Sequence, residues 1–442
     1  MKIIILTIPV VALICSQLIP IGYGTDIDNY RIMLSAKTLI TEGIYTPSRN
    51  FGYPLNELIM APLYIIGKNI ATNTIALIVF IISIFVFSKL CQRFKTKYPE
   101  LLTLIYALHP ILLKNATVPL DYIWSLLFIM SALVLLKDEK TLVAGISLAI
   151  AVGFRPTNII FIIPSLIIIK NWKERVRFSL TTVVISIFFY ILPIIYFTKY
   201  PLSISTGGDR SILHIIHTTL SLFGNIGWLM IAIITIISLI SYFNKKGVIA
   251  EKRDTIMLSI FILTNIVIFL IFPYEVEYLI PLIPALLILL SKRVSRHLLI
   301  ALFIAVVSYN LVWFDKTQNG FTPRDGIIVS QITDRKSLEH KRDKLPESDI
   351  EEPSMVITAL GEALYFDNNK VEIVNRTENG VFDNKLIMSK EKNIYFIYLG
   401  SEEYIKKMAN SGYHIYYLPY ARKFTMSVYK YDLSRYGDEL NI

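Results

Sequence analysis

The chain has 442 residues, of which 54% are hydrophobic and only 18% are charged. Soluble globular chains are about 45–50% apolar and about 25% charged, so this composition excludes a protein that is soluble over its whole length. We attribute the net charge of +10 to cations kept on the cytoplasmic side of a membrane and predict no nucleic-acid partner. Cys15 and Cys91 lie in or beside apolar runs and support neither a disulfide framework nor a metal cluster.

The N-terminus combines Lys2, the apolar run Ile3–Ile21 and the small residues of Gly22-Tyr23-Gly24. This arrangement fits either a cleaved signal peptide or a retained first span. The run is longer than the roughly 7–15 apolar residues of a typical signal peptide, so we predict a retained span.

Long apolar segments recur over the first three quarters of the chain. A bilayer core about 30 Å thick needs roughly 20 helical residues to cross it. The sequence predicts about eleven spans, at residues 3–21, 70–88, 101–113, 120–136, 141–153, 157–169, 176–198, 219–242, 255–272, 278–290 and 298–314.

Charge in the loops predicts the orientation of these spans. With a cytoplasmic N-terminus, the loops that fall inside carry Lys89, Arg93, Lys95, Lys97, Lys170, Lys173, Arg175, Arg177, Lys245, Lys246, Lys252, Arg253, Lys292, Arg293 and Arg296. The loops that fall outside carry Asp26, Asp28, Asp121, Asp209, Glu275 and Glu277. This asymmetry follows the positive-inside rule, and an odd number of spans leaves the C-terminus outside.

The first outside loop, residues 22–67, opens with Asp26-Ile27-Asp28. A helix is predicted from Asn29 to Glu42, ended by Gly43, with an apolar stripe suited to a membrane surface that contains Ile32, Met33, Ala36, Leu39 and Ile40. A second short interfacial helix is predicted over Leu55–Ile66.

This loop resembles the corresponding part of the GT-C membrane glycosyltransferases. The shared features are an Asp-x-Asp after the first span, an amphipathic helix, a Gly-x-Tyr, and a Tyr-Pro before an apolar helix. The stretch TDIDNYRIMLSAKTLITEGIYTP is most similar to the polyprenyl-phosphate-mannose-dependent mannosyltransferases. Gly153–Thr157, with its Arg-Pro, and the late loop Phe272–Pro284 also resemble that family, although Glu277 stands where an arginine is often found.

The resemblance implies that Asp26 and Asp28 are catalytic, and it leaves open which of them is the general base. Without it, Asp28 would be interpreted as a helix N-cap and Asp26 as an ordinary loop carboxylate. The sequence requires no cofactor, although hard oxygen ligands of this kind suit Mg²⁺ or Mn²⁺.

Other polar residues are candidates for substrate binding. Arg155 lies between two apolar segments, where it would bind a phosphate or pair structurally with Asp121. Glu275 and Glu277 are either site residues or solvated carboxylates. The remaining candidates are Arg210 for a phosphate, and Arg49 and Tyr53 for the sugar.

Residues 316–442 are predicted to form a small extracytoplasmic α/β domain, and residues 1–315 the transmembrane domain. The segment 335–352 is dense in charge and is predicted to be a linker or a solvated helix. Strands are predicted at Met355–Leu360, Val371–Val374, Ile394–Leu399, His414–Leu418 and Thr425–Tyr431, with a helix at Ser401–Asn410.

The sequence therefore predicts a polytopic α-helical, GT-C-like membrane protein of the cell membrane, or of the endoplasmic reticulum in a eukaryote. The predicted activity is inverting transfer of a sugar, with mannose implied by the resemblance. The resemblance implies a polyprenyl-phosphate sugar as the donor and a lipid-linked or other extracytoplasmic glycan as the acceptor, and membrane lipids are further predicted partners. The alternatives are a transporter or flippase of a lipid-linked saccharide, and a non-catalytic scaffold. A transporter should hold its polar residues near the bilayer midplane.

Overall fold

The computed structural model describes residues 2–199, 211–244, 249–292, 294–317 and 320–343, with four short strands beyond them. Within these residues the helices are α1 (Lys2–Ser16), α2 (Ile27–Glu42), α3 (Pro54–Arg93), α4 (Pro99–Ala107), α5 (Pro110–Asn115), α6 (Tyr122–Lys137), α7 (Thr141–Phe154), α8 (Ile162–Ile168), α9 (Trp172–Phe189), α10 (Ile191–Lys199), α11 (Ile212–Asn244), α12 (Ile249–Ile271), α13 (Leu282–Ser291), α14 (Arg296–Ser308) and α15 (Ile327–Asp343). Two 3₁₀ helices span Pro156–Phe161 and Val276–Leu279.

Three described helices are long and apolar enough to cross a bilayer: Pro54–Arg93, Ile212–Ile237 and Arg253–Ile271. The pair Trp172–Phe189 and Ile191–Thr198 meets the same standard as one span bent by 51°. Six further apolar helices have 10–17 residues. Prolines divide some predicted segments, such as 101–113, into helices too short to cross a bilayer on their own. The count of eleven spans therefore stays a prediction.

Local sequence explains both ends of α2. The Asp26 side chain accepts a hydrogen bond from the Asp28 backbone N–H at 2.9 Å, so Asp26 is the N-cap. Gly43 ends the helix in the left-handed conformation, at φ 67°, where glycine avoids the strain of a Cβ atom. The predicted helix is confirmed, and the interpretation of Asp28 as the cap is wrong because the helix begins two residues earlier.

The apolar stripe of α2 contacts protein. Ile32, Met33 and Ala36 are fully buried, and α2 packs against α3. The prediction that this stripe lies along the membrane surface is therefore wrong for its first half. The predicted interfacial helix Leu55–Ile66 is the first part of α3, which kinks at Gly67 and Lys68.

Three neighbouring helices, α3, α6 and α7, join two chemically different ends of the bundle. Arg49 and Arg155 bind Asp121 where α3 and α6 begin and α7 ends, and we name this the acidic end. Arg93 binds Asp138 at 2.5 Å at the other ends of α3 and α6, which we name the basic end. The 16 residues of α6 separate the two ends by about 24 Å.

The strands form two sheets. β1 (Val312–Thr317) and β2 (Gly320–Asp325) pair antiparallel. The strands β3 (Ser354–Thr358), β4 (Val371–Val374), β5 (Asn393–Tyr398) and β6 (Ile415–Pro419) form a parallel sheet in the order β4-β3-β5-β6. These four strands match predicted ones, whereas the predicted strand Thr425–Tyr431 and helix Ser401–Asn410 lie outside the described residues.

Helix α15 is attached to the bundle through Arg335, which is 1% exposed. Its guanidinium donates hydrogen bonds to the carbonyl oxygens of Leu18 and Thr117, each at 3.2 Å, and to the Thr117 hydroxyl at 3.0 Å. The start of the predicted linker 335–352 is thus a buried helical residue. Its charge is compatible with burial because each of these contacts satisfies a donor.

We expect Arg335→Met to destabilise the protein by about 1–3 kcal/mol for each carbonyl oxygen left without a donor. The measurement is the thermal unfolding midpoint of the purified protein in detergent. Lys336→Met, at the exposed neighbouring residue, is the control and should change stability by about 0.5 kcal/mol or less. Equal midpoints for the two variants would contradict the anchoring role of Arg335.

Candidate active site

Three carboxylates converge at the acidic end. One oxygen each from Asp26, Asp28 and Glu275 lies within 4.8 Å of the others. The start of α2 positions the two aspartates, and Glu275 directly precedes the 3₁₀ helix Val276–Leu279. Residues far apart in the sequence therefore form one acidic cluster.

A chain of ion pairs joins this cluster to Arg155. Asp28 contacts Arg31 at 3.1 Å and Arg49 at 3.2 Å. Arg49 contacts Asp121 at 2.5 Å, and Asp121 contacts Arg155 at 2.8 Å. Asp121 is fully buried, so its charge depends on these two guanidinium groups.

The loop that carries Arg49 is held in place by the buried carboxylate of Glu57, near the start of α3. Glu57 accepts hydrogen bonds from the Ser48 backbone N–H at 2.7 Å, the Ser48 hydroxyl at 2.5 Å and the Tyr45 hydroxyl. These bonds fix the residue directly before Arg49, which limits the positions its guanidinium can reach.

Aromatic rings flank both arginines. The Arg49 guanidinium carbon lies 3.6 Å from the centre of the Tyr53 ring. That of Arg155 lies 4.0 Å from the Tyr122 ring centre and 4.4 Å from that of Tyr278. Such cation–π contacts orient planar guanidinium groups and limit their hydration.

The loop Phe272–Pro284 contributes further contacts through its two glutamates. The Tyr122 hydroxyl donates to Glu275 at 2.9 Å. Glu277, which is 3% exposed, binds Lys114 at 2.6 Å and accepts a longer hydrogen bond from Asn115 at 3.5 Å. Glu277 is thus a buried carboxylate that forms an ion pair with Lys114. Lys114 supplies the positive charge beside this loop.

The cluster resists full ionisation. Burial and the neighbouring Asp28 carboxylate raise the pKa of Asp26 to about 6. Burial, and then the carboxylates of Asp26 and Asp28, raise the pKa of Glu275 well above its usual range. Burial also acts to raise the pKa of Glu277, but Lys114 outweighs it and lowers that pKa.

Two guanidinium nitrogens remain available for a ligand. Among the described residues, Nη2 of Arg155 and Nε of Arg49 are buried and make no hydrogen bond. Buried N–H donors of this kind normally have a partner. Nitrogens of the two site arginines are therefore suited to bind oxygen atoms of a phosphate.

A cavity of about 770 Å³ lies beside the cluster and includes Lys114 in its wall. This volume falls within the range of about 300–1,000 Å³ usual for ligand pockets. The other lining residues include aromatic and polar side chains from α11, the end of α14, the β1–β2 pair and α15, namely His217, Tyr309, Trp313, Arg324, Ser330 and Gln331.

The donor set fits a hard divalent cation. Mg²⁺ and Mn²⁺ prefer carboxylate oxygens, and Asp26, Asp28 and Glu275 each offer one. A cation there would neutralise charge that the pKa values of Asp26 and Glu275 show to be unfavourable.

We expect Mn²⁺ or Mg²⁺ to stabilise the protein above the pKa of Asp26, about 6. A raised carboxyl pKa favours folding at low pH, and this contribution is lost as the pH rises through the folded-state pKa. Cation at about a hundred times its dissociation constant should then add about 2.7 kcal/mol at about pH 7.5 and much less at about pH 5.

The measurement is the shift in thermal midpoint at both pH values, repeated with Glu275→Gln, which removes one ligand. The variant should lose most of the shift. A shift of the same size at both pH values, or in the variant, would exclude this metal site.

The structure brings together six of the eight residues named from the sequence: Asp26, Asp28, Arg49, Tyr53, Arg155 and Glu275. Glu277 faces Lys114, next to this group. Arg210 lies outside the described residues. Arg155 does pair with Asp121, and its unpaired Nη2 leaves phosphate binding open as well.

The sequence pattern does not single out Lys114, Tyr122 or Tyr278 as candidate site residues, and it indicates only a structural role for Asp121. Lys114 follows one apolar run and Asp121 begins another. The available signal was a charged residue at the outer end of a predicted span. That signal does not identify the partner of the charged residue.

No protein-family model matches the chain, and no curated protein matches it. Among solved structures, the chain is similar to the oligosaccharyltransferase of Archaeoglobus fulgidus, crystallised with a disulfide-tethered acceptor peptide that contains the NVT sequon. The two chains are 11% identical, with a TM-score of 0.49, over 98% of this chain and 74% of that one.

Proposed function

We propose that the chain is an inverting membrane glycosyltransferase. It moves a sugar, mannose, from a polyprenyl-phosphate donor to a lipid-linked or other glycan acceptor on the extracytoplasmic side. The observation that carries the proposal is the cluster of Asp26, Asp28 and Glu275, joined by ion pairs to Arg155. Displacement of a phosphate from a sugar needs a base and nearby positive charge, and this site offers both.

Asp26 is the base in this proposal. Asp28 is engaged by Arg31 and Arg49, whereas Oδ1 of Asp26 accepts the Asp28 backbone N–H. A pKa of about 6 leaves Asp26 mostly ionised at neutral pH and still basic enough to accept a proton, as general-base catalysis requires.

The reaction needs no covalent enzyme intermediate. Oδ2 of Asp26 takes the proton of the acceptor hydroxyl, whose oxygen forms a bond to the anomeric carbon. The bond between that carbon and the phosphate oxygen breaks, and the electron pair leaves with the polyprenyl phosphate. Nη2 of Arg155 and Nε of Arg49 bind the departing phosphate.

A divalent cation held by Asp28 and Glu275 would supply further positive charge for that phosphate and leave Asp26 to act as the base. The enzyme's own residues bind and orient the reactants, while Tyr53, Tyr122 and Tyr278 keep the two arginines in place.

Transport of a lipid-linked saccharide is the alternative. It would favour ionisable residues near the middle of broken helices. Asp121 and Arg155 are instead the residues that flank the start of α6 and the end of α7, and the three carboxylates lie in or next to loops. This placement favours chemistry at the membrane surface.

The test is incubation of the purified protein with polyprenyl-phosphate-mannose and a membrane lipid extract, followed by mass analysis. We expect a lipid or glycan product heavier by one hexose and free polyprenyl phosphate. A parallel reaction with polyprenyl-phosphate-glucose tests the sugar. Intact donor in both reactions would contradict the proposed activity, and transfer of glucose alone would correct the sugar.

A further inference from the structure

The basic end of the bundle holds a second large cavity, of about 1,070 Å³. It lies among the ends of α3, α6, α8 and α13 and the starts of α7, α9 and α12. Among the described residues, seven cationic side chains line it: Arg93, Lys95, Lys97, Lys137, Lys170, Arg253 and Lys292. The acidic lining residues in the same part of the chain are Glu139, Glu174 and Asp254.

Part of this charge is used within the protein. Lys137 binds both oxygens of Asp254 at 2.9 Å. Arg253 donates to the carbonyl oxygens of Ile167 at 2.6 Å and Ile169 at 3.2 Å. These contacts fix two cations in the wall, while the described lining residues together keep an excess of positive charge.

Three of the lysines are exposed at the rim. Lys95 and Lys97 follow the end of α3, and Lys170 precedes α9. Because each of these side chains is exposed, its ammonium group can turn towards an anion that enters the cavity.

The wall also has an apolar part. Phe94, Leu136 and Ile169 line the cavity and are 3%, 3% and 4% exposed. The Lys137 ammonium lies 4.9 Å from the centre of the Phe94 ring. Ile168 also lines the cavity and is partly exposed, so the wall offers both cationic and apolar surface to a ligand with an anionic head and a hydrocarbon body.

We propose that this cavity binds the phosphate headgroup of an anionic phospholipid from the leaflet at the basic end. The headgroup meets Lys95, Lys97 and Lys170, and the proximal acyl chain lies against Ile168, an apolar lining residue that is partly exposed. Basic pockets between transmembrane helices bind anionic headgroups, and each lysine near the surface strengthens such binding several-fold. The cavity is separate from the acidic end, so the proposal is independent of sugar transfer.

The experiment uses the full chain in detergent and measures lipid binding by native mass spectrometry. The ligands are short-chain phosphatidylglycerol, phosphatidylcholine and inorganic phosphate. The cavity variant replaces Lys95, Lys97 and Lys170 by glutamine. The control variant replaces Lys89, Lys140 and Lys173 by glutamine. These three lysines are exposed at the same end of the bundle and do not line the cavity.

We expect phosphatidylglycerol to bind the wild type at least about tenfold more tightly than phosphatidylcholine. The cavity variant should lose on the order of a hundredfold in that affinity, and the control at least about tenfold less than that, because its lysines do not line the cavity. Equal losses in the two variants would overturn the site. Inorganic phosphate binding as tightly as phosphatidylglycerol would overturn a lipid ligand.

Discussion

Replacing Asp26 by asparagine is expected to lower kcat/KM for sugar transfer by about 10²–10⁴-fold. Asparagine cannot accept the proton of the acceptor hydroxyl, so the general-base contribution is lost. The fold should survive because asparagine is also a good N-cap, and the side-chain oxygen can still accept the Asp28 backbone N–H.

Two controls isolate the chemical effect of this substitution. Asp138→Asn makes the same change beside Arg93 at the basic end, away from the site, and should keep full activity. The thermal midpoint of Asp26→Asn should not fall below that of the wild type. The enzymatic proposal fails if Asp26→Asn and Asp28→Asn both transfer sugar at the wild-type rate.

Replacing Asp121 by asparagine is expected to destabilise the protein by about 3–5 kcal/mol. Asp121 is fully buried and is shared by Arg49 and Arg155. Its loss would leave two positive charges in contact with aromatic rings and without their carboxylate, which is far more costly than loss of an exposed ion pair.

The thermal midpoint of the detergent-purified protein measures this effect. Asp138→Asn again serves as the control, since it breaks a more exposed pair with Arg93 and should cost about 1 kcal/mol or less. Similar midpoints for Asp121→Asn and Asp138→Asn would show that the buried ion-pair chain does not hold the acidic end together.

The sequence predicted the parts of the site that depend on local pattern. The Asp-x-Asp before an amphipathic helix and the following Gly43 predicted α2. The positive-inside rule predicted that loops carrying Asp26, Asp121 and Glu275 share one side, and the structure places these residues at one end of the bundle. The side of the membrane that this end faces stays a prediction.

The sequence could not predict contacts set by packing between distant elements. The stripe of α2 looked suited to a membrane surface because the pattern does not show that α3 covers Ile32 and Met33. Arg335 looked solvated because dense charge usually is, yet loop carbonyl oxygens satisfy it inside the protein. The pairing of Lys114 with Glu277 joins residues 163 positions apart, so no local pattern could reveal it.

Release of polyprenyl phosphate from a polyprenyl-phosphate sugar is the direct measure of catalysis by Asp26 and Asp28. The wild type and the Asp26→Asn/Asp28→Asn double variant would be compared in nanodiscs with the same acceptor lipids. We expect release by the wild type, at a rate that depends on acceptor concentration, and little or none by the double variant. Equal release by the two proteins would contradict a catalytic role for these carboxylates.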